Sequence, residues 1–159
     1  MQIVKDGRLA EDHWQHLSDE QAVPPQGDVT VSYARWAAEG AELAKRDGRL
    51  GLRLTGADPL ETLGPIAGQF PLLVVEFPGV ADGRGFSVAR LLRDQYGYRG
   101  ELRAYGHFLR DQVFFLQRVG CNAFESTLIK AEDLLPGLSD FTVRYQASQD
   151  EPLPLYRRR

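Results

Sequence analysis

Apolar positions in this chain follow a two-residue rhythm and a 3.6-residue rhythm by turns, which predicts strands alternating with helices. Val29-Thr30-Val31-Ser32 reads as a short strand. Tyr33, Trp36, Ala37, Gly40, Ala41 and Ala44 then recur at helical spacing until Asp47-Gly48 breaks the pattern. A strand over residues 50–55, a helical stretch over 59–68 and a strand over 71–77 repeat the alternation, and Leu72, Leu73, Val74 and Val75 make the last of these apolar on both faces. Strands of that kind are buried on both sides, as parallel strands are. A helix over 87–96, a strand over 101–105, a helix over 109–119, a strand over 122–125, a short helix over 130–135 and a strand over 141–146 complete the series, punctuated by Gly97, Gly100 and Gly120.

Strands spaced by roughly 20–30 residues are those joined by right-handed crossovers in a parallel sheet. The expectation is an α/β domain over residues 29–147, built of repeated βα units as a mostly parallel sheet covered by helices. An open sheet with helices on both faces is the first choice. A partial TIM-like βα barrel is the alternative, since five or six units fall short of the eight that close a barrel. Residues 1–28 read as an extension packed on this domain, with Gln2–Lys5 and Asp6-Gly7 suited to a hairpin and Val23-Pro24-Pro25-Gln26-Gly27 to a linker; residues 148–159 read as a polar tail.

Composition narrows the function. The 159 residues suffice for one domain with a substantial core. A net charge of −3, from 19 basic and 22 acidic side chains, offers no positive field for a nucleic-acid backbone. No apolar run approaches the roughly 20 residues that span a bilayer, and no hydrophobic signal core opens the chain. The single cysteine, Cys121, excludes an intrachain disulfide and fits a reducing cytoplasm, where it reads as a small packing group. Arg157-Arg158-Arg159 reads as a solvated tail.

The segment most suited to a ligand is Asp82-Gly83-Arg84-Gly85, between an apolar strand and an amphipathic helix. Ligands of α/β proteins gather beyond the carboxyl ends of the strands. Arg84 supplies a forked cation, Gly83 and Gly85 allow close approach, and Ser87 is placed to cap the helix. The same residues also serve a plain strand–helix turn. Arg93, Arg103 and Arg144 complete a candidate cationic rim for an oxyanion, with Asp82, Arg84, Gly85 and Ser87 as its other members. His107 follows a strand and is a candidate acid–base group, Asp111 favours the start of the next helix, and Glu76 and Glu125 end two strands that could share a rim. His13 and His16 lack the further ligands of a metal site, and no catalytic set or cofactor fingerprint is complete.

Asp82-Gly83-Arg84-Gly85-Phe86-Ser87, Leu92-Arg93, Gly100-Glu101-Leu102-Arg103-Ala104, Asp111-Gln112 and Phe141-Thr142-Val143-Arg144-Tyr145-Gln146 occur in the order seen in the bacterial family known as domain of unknown function 934, which the chain resembles over roughly residues 30–147. Arg118-Val119-Gly120-Cys121-Asn122-Ala123-Phe124 departs from the Gly-Phe-Asp-Ala-Phe pattern of that family. The resemblance implies an association with assimilatory sulfite reduction, through which members are described as oxidoreductases, and carries no catalytic residues. Three readings follow: an accessory or oxyanion-binding factor that engages sulfite reductase, an oxidoreductase with a dissociable cofactor, and a noncatalytic oligomeric scaffold.

Overall fold

The computed structural model describes residues 1–79 and 83–139. Strands β1 (Gln2–Lys5) and β2 (Arg8–Glu11) form a hairpin through Asp6-Gly7, both at positive φ (52° and 80°), the backbone that a two-residue hairpin turn requires. β3 is the two-residue Gln15–His16, followed by β4 (Val29–Ser32), α1 (Tyr33–Leu43), β5 (Leu50–Leu54), the single turn α2 (Leu60–Leu63) continuing as a 3-10 helix, and β6 (Leu72–Phe77). Then come α3 (Arg84–Asp94), β7 (Glu101–Gly106), α4 (Arg110–Arg118), β8 (Ala123–Ser126) and α5 (Ala131–Leu134). The strand expected over residues 141–146 lies outside the described residues.

All eight strands join one sheet in the order β2-β1-β8-β7-β6-β5-β4-β3. From β3 to β8 spatial order is chain order and every pairing is parallel, while β1 runs antiparallel to both β2 and β8. Right-handed crossovers that always advance in one direction lay their helices on a single face. A doubly wound sheet reverses direction and covers both. The expected helices on both faces are therefore replaced by helices on one, and the barrel-like alternative describes the arrangement.

The sheet must also curl. Its edges are β2 and β3, separated along the chain only by Asp12, His13 and Trp14. Seven strand spacings in a flat sheet amount to about 34 Å, whereas the four Cα–Cα steps from Glu11 to Gln15 reach at most about 15 Å. Curling brings β3 against β8, so that His16 Nε2 lies 3.1 Å from Glu125 Oε1.

Strand alternation then sorts residues between two faces. Val29, Val31, Leu52, Leu54, Leu73, Val75, Leu102 and Phe124 belong to one apolar cluster with Leu43, Leu63, Val88, Leu92, Val113 and Leu116 of the helices. The opposite, concave face carries Thr30, Arg53, Glu76, Arg103 and Glu125, and among the described residues the buried polar or charged ones, Thr30, Arg103 and Glu125, all lie there. β6 is buried on both sides as its sequence predicts, Leu72 and Val74 facing the concave side and Leu73 and Val75 the helices.

Candidate functional site

Each parallel strand from β5 to β8 places at least one charged residue on the concave side among apolar neighbours, and the curl gathers them into a network. At its centre is Arg103, 1% exposed. Its Nε and Nη2 donate to Glu101 Oε2 (3.0 and 2.7 Å), Nη1 and Nη2 form a two-pronged pair with Asp12 (3.0 Å each), and Nη1 also reaches Glu125 Oε1 at 2.8 Å. These five bonds use all five guanidinium N–H groups. Burial by itself would favour loss of the proton, but the Asp12 and Glu101 carboxylates outweigh it and hold Arg103 more firmly protonated than a free arginine.

His16 links this centre to the next strands. Arg53 donates to the Thr30 carbonyl (3.1 Å), to Thr30 Oγ1 (3.2 Å) and to Glu76 Oε1 (2.8 Å). Thr30 Oγ1 lies 2.7 Å from His16 Nδ1, and His16 Nε2 lies 3.1 Å from Glu125 Oε1, so the ring bridges the two strands. Burial alone would push the Glu125 pKa up, yet the hydrogen bonds and charges of His16 and Arg103 prevail and hold it below its ordinary value. Tyr105 lies in register between Glu76 and Glu125, its ring 4.9 Å from that of His16. Burial first, then those two carboxylates, raise its hydroxyl, which keeps its proton and takes no partner among the described residues. At the amino end, Lys5 pairs with Glu101 at 2.8 Å. Glu76 and Glu125 thus share a layer, with Tyr105 between them in the register.

The loops at the carboxyl ends form a second, exposed region. α3 begins at Arg84, and Gly83, not Ser87, occupies its N-cap position. Ser87 is the fourth helical residue, exposed, and caps nothing; the glycine pair had displaced the expected helix start. Gly85 is required by close packing, since a Cβ there would sit 2.5 Å from the Phe77 ring. Arg84 is exposed and its stem packs on Gly56, so the loop after β5 meets the start of α3. His107 is exposed directly after β7, its backbone N–H bonded to the Phe77 carbonyl at 2.8 Å. Asp111 sits in the first turn of α4, as expected.

Among the described residues, Arg93 and Arg103 do not join Arg84 in a cationic rim. Arg93 lies at the far end of α3, where it donates to the carbonyls of Gly120, Tyr98 and Gly100 at 2.8–2.9 Å. Arg103 is sealed in the concave network with no donor left for an oxyanion. Asp82 and Arg144 lie outside the described residues. Arg84, Gly85 and Ser87 remain together. Cys121 is buried, and burial pushes its thiol up to about 12, which suits a packing role. His13 and His16 diverge, His13 to Asp28 at 2.7 Å and His16 into the network. Among the described residues no group of three His, Cys, Asp or Glu side chains is placed to hold a metal ion, and no helix is long and apolar enough to cross a membrane.

Asp12, Thr30, Arg53 and Glu101 escaped the sequence reading. A signal was present: Arg53, Glu76, Arg103 and Glu125 each interrupt an apolar strand at an alternate position, the mark of a polar inner face.

Sheet order, curl and one-sided helices define a partial βα barrel, an architecture that hosts many unrelated functions. The chain belongs to the family described as "Bacterial protein of unknown function (DUF934)", whose model matches residues 51–156, from β5 onward. No curated protein matches it.

Proposed function

We propose that this protein is a cytoplasmic accessory factor of assimilatory sulfite reduction, which binds a small oxyanion at the carboxyl ends of its parallel strands and engages the reductase. The observation that supports it is Arg84: an exposed cation on the first residue of α3, steadied against Gly56 of the neighbouring loop, in the position where βα architectures bind ligands. The amide groups of the first helical turn and the exposed His107 on the adjacent strand end add donors of the same polarity.

Calorimetric titration of the full chain with sulfite and with sulfate tests the reading. Binding that weakens about 10-fold or more in Arg84→Glu, the loss of one charged hydrogen bond, together with co-purification of sulfite reductase from the native host, supports it. Equal oxyanion affinity in wild type and Arg84→Glu removes the site, and capture of no reductase removes the accessory role. A nucleotide or flavin recovered from natively purified protein would replace this reading with an oxidoreductase.

A further inference from the structure

Toward the carboxyl end of the concave face, neighbouring strands leave a row of hydrogen-bonding groups unfinished. β5, β6 and β7 lie side by side in the sheet and contribute Arg53, Glu76 and Tyr105 in that order. Glu76 and Tyr105 are in register, and Arg53 sits one side-chain layer lower, opposite Val74. The arginine is long enough to make up that step: its Nε donates to Glu76 Oε1 at 2.8 Å, while its Nη1 is held by the Thr30 carbonyl and hydroxyl. Those bonds fix the guanidinium from two sides and leave Nη2 with no hydrogen-bond partner. Nη2 shares the Nε edge of the planar fork, so it points past Glu76.

Glu76 engages Arg53 through Oε1 and has Oε2 left over, and the Tyr105 hydroxyl bonds nothing among the described residues. None of these three atoms is a buried polar atom cut off from solvent, and the Glu76 side chain is 32% exposed, so a ligand entering at the carboxyl end can reach them. Their charges cancel. Arg53 and Glu76 neutralise each other, the Tyr105 hydroxyl keeps its proton, and the neighbouring Glu125 carboxylate is answered by Arg103 and His16. A neutral ligand therefore suits the row better than an ion, whose charge would have no counterpart there. An arginine N–H can only donate, a carboxylate oxygen can only accept, and a protonated phenol donates. The row reads donor, acceptor, donor, and its complement is a planar edge that reads acceptor, donor, acceptor: two carbonyls flanking an N–H, which is a cyclic imide.

We infer that the carboxyl end of the concave face binds a neutral pyrimidine-2,4-dione ring, the imide shared by uracil-type bases and flavins. Its N–H donates to Glu76 Oε2, and its two carbonyls accept from Arg53 Nη2 and from the Tyr105 hydroxyl. Thr30 and Glu76 set Arg53 before the ligand arrives, and the His16 ring, 4.9 Å from that of Tyr105, backs the tyrosine, so binding need not order either donor. The site shares no residue with the oxyanion reading, which rests on Arg84.

Uracil and riboflavin, added separately to the full-length protein, test it. Both carry the imide, and neither carries a phosphate that would report on Arg84 instead. Calorimetry follows uracil, and quenching of flavin fluorescence follows riboflavin. At least one is expected to bind, and which of them does so tells a base site from a flavin site. The same ring methylated at N3 has lost the N–H, and cytosine turns a lone pair toward Glu76 in its place; each should bind about 10-fold or more weakly than its parent or uracil, because a site built to accept an N–H is left unpaired. Tyr105→Phe removes only a hydroxyl that bonds nothing else among the described residues, and affinity should fall about 5- to 10-fold. Glu76→Gln can turn an amide N–H toward the ring and should narrow the preference for uracil over cytosine. Binding of neither probe overturns the proposal. So does equal affinity for the N3-methylated ring, or an affinity indifferent to Tyr105→Phe.

Discussion

The convex and concave faces of the sheet are made by the same strands, one residue apart, yet they are held by opposite physics. On the convex side Leu52, Leu73 and Leu102 meet helix residues through nondirectional apolar contact. On the concave side Thr30, Arg103 and Glu125 are buried just as deeply, and each depends on partners from other strands: Arg103 on Asp12, Glu101 and Glu125, and Thr30 on Arg53 and His16. The convex side needs volume and the concave side needs complete pairing. The pairing also closes the curl, because Asp12 lies in the segment that joins the two edges and His16 lies on the far edge strand.

The comparison breaks most visibly at Arg103. Arg103→Met keeps most of the volume but leaves Asp12, Glu101 and Glu125 buried around an uncharged chain, so a loss of about 3–5 kcal/mol in urea unfolding is expected. A conservative change on the convex side should behave otherwise. Leu73→Met is expected to cost less than about 1.5 kcal/mol, whereas Leu73→Ala opens a cavity and costs about 2–5 kcal/mol. Equal losses in Arg103→Met and Leu73→Met would mean that the concave charges are solvated rather than mutually paired.

At Thr30 the expected effect is smaller. Thr30→Val preserves shape and removes the hydroxyl that joins Arg53 to His16, leaving buried polar atoms without a partner at about 1–3 kcal/mol. The pH dependence sharpens the same point. Glu125 is held below its ordinary value in the folded chain, so its contribution is fully present above the unfolded carboxylate range and is lost as pH falls through the folded value. Asp28, held well below the carboxylate range chiefly by the hydrogen bond from Arg49, acts in the same direction. Stability should therefore decline from about pH 4 downward, and Glu125→Gln should flatten that decline in unfolding curves taken between neutral and acid pH.

Much of this arrangement was legible. Element order followed from the sequence because β4, β5, β7 and β8 interrupt their apolar runs with polar residues on the concave face, while β6 shows as an unbroken apolar run over residues 72–75. β3 did not, since Gln15 and His16 are both polar and their pairing to β4 is decided by the curl. Periodicity cannot report strand order, and strand order alone separates helices on two faces from helices on one. Arg103 was read as a rim residue because parity gives the side of a strand and not its depth. That depth comes from Asp12, which lies 91 positions away in sequence. The start of α3 was misplaced because Ser87 is a favoured capping residue and Gly83 offers no side chain to announce the cap.

That last error supplies the finest test of how location sets the worth of a polar group. Ser32 ends β4 and caps α1: its Oγ accepts from the Arg35 N–H at 3.1 Å and donates to Asp19 at 2.7 Å. Ser87 belongs to the outer helix layer, exposed, with no cap bond. Ser32→Ala should therefore cost about 1 kcal/mol, the usual value of a lost N-cap, while Ser87→Ala should stay within about 0.5 kcal/mol of wild type, as exposed substitutions do. Chemical denaturation of both variants resolves the difference. If Ser87→Ala proved the costlier, the hydroxyl would be anchoring the first turn of α3 after all, and the contrast between a pairing-dependent concave side and a permissive helix layer would fail at the rim where Arg84 lies.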